Sequence, residues 1–158
     1  MSAAPEPLIQ GIAHVNLSIP PGTLDQAKSF YGSTLGLTPR AGPAAQVHEL
    51  AWFDVGPPPS SSSSSSSSGP QQQIHISIQK HDRDTTEPRS SRHPCFHLGS
   101  RDALVKLQRR ILEHKAAGGG DAPLECDEVG ESSGETTADY PTRFFARDYS
   151  GNRLEFTT

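Results

Sequence analysis

Four side chains of this 158-residue chain are of types that hold a cation and move a proton: His14, His75, His93 and Glu155. Imidazole nitrogen and carboxylate oxygen bind borderline divalent ions, and a carboxylate beside such an ion can also serve as a general base. Glu155 lies in the closing stretch 148–157, where Ser150, Gly151 and Asn152 are turn formers and a short strand follows at once. Leu154 and Phe156 fall on one face of that strand and Glu155 on the other. A sheet packed against helices through its leucine face therefore directs the carboxylate to the opposite side.

The histidines sit in similar settings. From residue 12 the chain alternates, with Ile12, His14, Asn16 and Ser18 on one face and Ala13, Val15, Leu17 and Ile19 on the other. Thr23 with Gln26 has the form of a capping box, and Leu24, Ala27, Phe30, Tyr31 and Leu35 make the apolar stripe of a helix ending at Gly36. Residues 46–55, with Trp52 and Phe53, predict one or two strands. Ile74, Ile76 and Ile78 then alternate with His75, Ser77 and Gln79. A second cycle begins at His93. His93, Cys95 and His97 share a face, Ser100 caps a helix with the stripe Leu104, Leu107 and Ile111, and glycines 118–120 stop it. Strands are expected at 124–129, 142–147 and 154–157, with an acidic loop over 130–139.

The order βαβββ thus occurs twice, which predicts an α+β fold of two βαβββ modules. Superimposing the halves equates His14 with His93, His75 with Glu155 and Trp52-Phe53 with Phe144-Phe145. Two pseudo-equivalent pairs of ligand-type residues are what a metal site on a pseudo-twofold axis requires. Three imidazoles and a carboxylate suit Zn, Ni, Fe or Mn better than Mg or Ca. Weaker candidates for touching a substrate are His97, Phe144, Arg143 and Tyr140.

Residues 1–10 read as a flexible leader and 11–158 as a single domain: module one over 11–80, a linker over 81–92 and module two over 93–158. Within module one, 57–72 holds three prolines, nine consecutive serines and a Gly-Pro, which predicts a disordered insert. That insert depresses the apolar fraction to 32%. A net charge of −4 with no basic run argues against nucleic-acid or membrane surfaces and favours small-molecule partners. Two cysteines are too few for a disulfide framework. No apolar run approaches a membrane span and no secretory leader is evident, so a cytoplasmic protein is expected.

The segments Gly11-Ile12-Ala13-His14-Val15, Phe30-Tyr31-Gly32-Ser33-Thr34-Leu35-Gly36-Leu37, Ile74-His75-Ile76 and Asp148-Tyr149-Ser150-Gly151-Asn152-Arg153-Leu154-Glu155-Phe156 together resemble the vicinal oxygen chelate superfamily. That superfamily includes glyoxalase I, methylmalonyl-CoA epimerase, fosfomycin-resistance proteins, extradiol dioxygenases and bleomycin-resistance proteins. The resemblance implies a cup-shaped mixed sheet with helices outside it, a homodimer completing each site, and metal ligands at His14, His75, His93 and Glu155. It further implies a lyase or isomerase in which an ion takes two adjacent substrate oxygens while Glu155 moves a proton. The alternatives are an extradiol-type dioxygenase using His14, His93 and Glu155, and a metal-free binding protein of the bleomycin-resistance kind. Ser18 stands where bacterial glyoxalase I has an arginine for its thiol cofactor, which weakens the glutathione version.

Overall fold

The computed structural model describes residues 12–42, 46–56, 72–79, 90–131 and 142–158. The leader, residues 57–71 of the insert, residues 81–89 of the linker and most of the acidic loop lie outside the described residues.

Alternation sets the strands as expected. Strand β1 (His14–Ile19) buries Ile19 and leaves His14 and Asn16 exposed. A four-residue helix, α1 (Leu24–Ala27), runs directly into a π-helical segment, Lys28–Thr34, in which consecutive Phe30 and Tyr31 are both fully buried. Leu35 N–H donates to the Phe30 carbonyl five residues back, at 2.9 Å, the signature of this wider turn. The capping box does not form, because the Thr23 hydroxyl turns back to the Pro20 carbonyl at 2.8 Å. Strand β2 (Thr38–Arg40), where no strand was predicted, precedes β3 (Leu50–Asp54) and β4 (Gln73–Ile78).

The second module has β5 (Cys95–His97), α2 (Arg101–Ala117), β6 (Glu125–Cys126), β7 (Arg143–Arg147) and β8 (Arg153–Thr157). Ser100 caps α2 by accepting from Ala103 N–H at 3.1 Å, and Gly118, at φ 73°, ends it. Gln108 is buried in the middle of the stripe. Its amide donates to the Asp127 and Glu128 carbonyls at 2.9 Å, which ties the helix to the segment after β6 and offsets the cost of its burial.

Each module is a four-stranded mixed sheet, in the orders β1-β4-β3-β2 and β5-β8-β7-β6. The sheets are separate in the chain, and β1 and β5 are edge strands. One core joins them: Phe53, Ile74 and Ile76 of the first sheet, Phe144, Leu154 and Phe156 of the second, and Phe30, Tyr31, Leu104 and Ile111 of the helices. The modules are also tied by polar contacts. Thr34 Oγ1 lies 2.8 Å from His114 Nδ1, His114 Nε2 lies 3.4 Å from Asp121, and the Ser29 hydroxyl donates to Asp121. The Ser29 hydrogen bond holds the Asp121 carboxyl below its usual range.

The closing turn is a third tie. Asp148 is fully buried, with Oδ1 accepting from Ser150 and Asn152 N–H and Oδ2 accepting from the Tyr31 hydroxyl and the Asn152 amide, at 2.8–2.9 Å. Asn152 also donates to the Ser18 carbonyl at 3.1 Å, and Gly151 supplies φ 90°. Among the described residues no helix is long and apolar enough to cross a membrane.

The insert joins neighbouring antiparallel strands, and Val55 N–H donates to the Gln72 carbonyl at 2.8 Å across its base. Removing residues 57–69 is therefore expected to leave stability nearly unchanged, because loop closure changes by only ~0.6 kcal/mol per doubling of length. A melting temperature lower by more than ~5 °C, about 1–2 kcal/mol for a domain of this size, would show that the insert packs.

Candidate functional site

Each sheet buries one face in the core and leaves the other open, and both ligand-type pairs lie on the open faces. On the first sheet, β1 and β4 run parallel with Asn16 opposite His75, which brings the His14 and His75 rings to 4.7 Å between centroids. Trp52 lies across from His75 in β3, 4.4 Å from its ring and 5.3 Å from that of His14. Gly42 allows this indole its position, since a Cβ there would stand 2.6 Å from Trp52 Cδ1. Burial, reinforced by neighbouring His14, pulls the His75 imidazole below its usual pKa. The neutral form is therefore favoured near pH 7, and among the described residues its buried Nδ1 has no hydrogen-bond partner.

On the second sheet, His93 precedes β5 and Glu155 lies in β8, paired with Cys95. His93 Nε2 lies 2.9 Å from Glu155 Oε2, and its Nδ1 lies 2.6 Å from the Ser91 carbonyl. A carbonyl only accepts, so Nδ1 must carry a proton, and the contact at 2.9 Å places one proton between Nε2 and the carboxyl oxygen, a position that a cation could take in its place. A backbone carbonyl on one nitrogen with a second ligand-type group at the other is the arrangement that fixes a metal-ligating imidazole. Phe145, directly across from Glu155, stands edge-on to His93 at 5.4 Å. Arg143 Nη1 approaches Glu155 Oε1 at 3.9 Å.

The pairs are related as the sequence repeat requires: His14 stands two residues before the partner of His75, and His93 two before the partner of Glu155. They fit a divalent ion in donor type and in preparation, with an orphaned nitrogen on His75 and an oriented tautomer on His93. Each pair supplies only two ligands. Among the described residues no three of His, Cys, Asp and Glu are grouped to hold an ion. His14, His93 and His97 line a cleft of about 870 Å³ between β1 and the segment at 92–97.

The other expected contacts divide. Arg143 reaches Glu155 and His97 is exposed in the cleft, whereas Tyr140 lies outside the described residues. Phe144 requires correction. It is fully buried and stacked on Phe156 at 4.8 Å, so the ring on the open face is that of Phe145. The pairing explains the shift. Trp52 opposes His75 and Phe145 opposes Glu155, so the modules align Trp52 with Phe145, one residue from the expected match, and a one-residue slip reverses every side chain. Trp52 and Phe145 read from the sequence only as strand aromatics, and Arg153 is not singled out there. Alternation from Glu155 places Arg153 on the same face, and its ring contact needed the structure.

No protein-family model and no curated protein sequence matches the chain. Solved structures do. A protein described as of the glyoxalase family from Bacillus anthracis is similar at 25% identity and TM-score 0.60, over 96% of both chains. A lactoylglutathione lyase from Agrobacterium tumefaciens is similar at 16% identity and TM-score 0.55, over 96% of this chain and 95% of its own. A variant of a fosfomycin resistance protein from Listeria monocytogenes, complexed with Mn(II) and 1S,2S-dihydroxypropylphosphonic acid, is similar at 15% identity and TM-score 0.56, over 95% and 90%.

Proposed function

From the premise that this chain has the fold of the vicinal oxygen chelate superfamily, we propose a metal-dependent lyase or isomerase acting on a small molecule. Each site forms between two copies of the chain: His14 and His75 from one, His93 and Glu155 from the other. The observation that supports this most is the division of the ligand-type residues into two pairs, each on an open sheet face beside an unpaired edge, β1 or β5. Setting β1 of one copy beside β5 of another closes both edges and joins the two sheets into the continuous cup. The Mn(II) complex among the similar structures supports a divalent ion.

A bound ion supplies Lewis acidity to two adjacent oxygens of the substrate. The chain's own residues do the rest. The Ser91 carbonyl holds the His93 tautomer, and burial favours the neutral form of His75, in which one ring nitrogen keeps its lone pair. Trp52 and Phe145 wall the two halves with apolar surface that limits water. Glu155 takes a proton from the carbon beside the polarised oxygen and returns it to the product. Two unpaired cysteines, Cys95 and Cys126, agree with a reducing cytoplasm.

Complementation between two variants tests the shared site. Chains carrying His14→Ala with His75→Ala, or His93→Ala with Glu155→Gln, should each lose the metal. Their heterodimer should regain about one ion where the parent dimer holds about two, because one of its two sites is intact. A verified heterodimer without metal, or a monomer binding metal at full affinity in sedimentation, would reject this reading.

A further inference from the structure

Arg153 occupies the open face of the second sheet two residues before Glu155, about 7 Å along the strand. Its guanidinium lies over the Phe145 ring at 4.1 Å, and that ring stands edge-on to His93. Guanidinium, ring and imidazole thus form a continuous chain of contacts leading to the His93–Glu155 pair. Among the described residues Arg153 has no hydrogen-bond or ion-pair partner, so its N–H donors are unspent while its charge rests over the ring.

The surroundings favour an incoming anion. Arg153 and Phe145 line a cleft of about 460 Å³ with Lys115, Glu125, Asp127 and Arg147. Both acids there are engaged: Glu125 accepts from Arg147 Nε at 3.1 Å, and Asp127 accepts from Phe145 N–H at 2.9 Å. Arg147 is committed further, donating to the Gly151 carbonyl at 2.9 Å. With Glu125 set against Arg147, the lining keeps Arg153 and Lys115 against Asp127, a net single positive charge facing a space large enough for a small molecule.

We propose that Arg153, seated over Phe145, binds an oxyanion group of the substrate, carboxylate or phosphoryl, on the sheet face that carries Glu155. The inference rests on the proposed site at Glu155 for its account of what the anchored substrate meets. It makes the substrate a small molecule with a chelating end and an anionic end. A planar guanidinium fork matches either oxyanion through two parallel hydrogen bonds, which Lys cannot reproduce.

The test uses the full chain, stripped of metal with EDTA, and two probes, inorganic phosphate and acetate, followed by the side-chain N–H resonances of its arginines. At least one probe should shift the Arg153 Nε–H resonance saturably, and the tighter of the two identifies the oxyanion. Arg153→Gln should weaken that probe at least about tenfold and Arg153→Lys by less, with the fold and the metal content of the reconstituted variants unchanged. Glu155→Gln should bind metal more weakly yet keep probe binding, so that loss of the metal reading and loss of this subsite are separately visible. Probe binding that is equal in Arg153→Gln, absent without metal, or absent altogether would overturn the proposal.

Discussion

Glu155→Gln is expected to keep the fold, weaken metal binding and lower turnover about 10²–10⁴-fold even when saturated with metal. The side chain lies on an open sheet face, outside the core, so the strand should tolerate an isosteric amide. Gln retains one carbonyl oxygen that can still approach a cation, but it carries no negative charge and is no base near neutral pH. His93 then faces an amide in place of its carboxylate partner at 2.9 Å. Alanine at His14 or His93 should act differently, lowering metal affinity first and turnover mainly through that loss, since an imidazole ligand need not carry the transferred proton. His75→Glu should be tolerated on the half-exposed face. If metal-saturated Glu155→Gln turned over a substrate of the parent at the parent's rate, the proton-transfer role would have to be abandoned and Glu155 would be a ligand only.

The largest loss of stability is expected at Asp148→Ala. The carboxylate is fully buried and accepts four hydrogen bonds, two from the backbone of the closing turn, one from the Asn152 side chain and one from Tyr31 in the other module. Alanine leaves those donors without an acceptor in a site that excludes water, at a cost of about 3–5 kcal/mol. The melting temperature should fall by roughly 10 °C or more for a domain of this size. Tyr31 reports the same contact from the other side: burial first, then the Asp148 charge, raise its hydroxyl well above the usual phenolic range, so it is a donor to Asp148 near neutral pH. Tyr31→Phe should cost less, about 1–2 kcal/mol, because Asp148 keeps three of its four donors. A double-mutant cycle should show coupling of about 1 kcal/mol or more between the two positions. Denaturant unfolding of Asp148→Ala within ~1 kcal/mol of the parent would show that the turn is held by backbone geometry alone.

What the sequence by itself determined was whatever depends on near neighbours. Alternation in Ile74-His75-Ile76 and in Leu154-Glu155-Phe156 fixed which side chains leave the core, because a pleated strand has a period of two whatever it pairs with. Ser100 and Gly118 bounded α2 because capping is settled within a turn of helix. The repeat was equally legible, and with it the equivalence of His14 with His93 and of His75 with Glu155. The tertiary structure decided what depends on pairing between distant segments. Matching the modules by their aromatic pairs leaves Phe144 and Phe145 undecided, although Arg143 and Arg147 share a strand face with Phe145 and Ala146 one with Phe144, and the register of β7 on β8 sends the first into the core and the second onto the site. The same holds for Asp148, whose turn reads as a plain hairpin until Tyr31 is brought against it from 117 residues away. It holds again for Arg153, which becomes a preorganised cation only when Phe145 lies beneath it. Which strands stand at the sheet edges, β1 and β5 beside the ligand-type pairs, also belongs to tertiary structure, because a strand records which way its side chains face but not which edge it will meet.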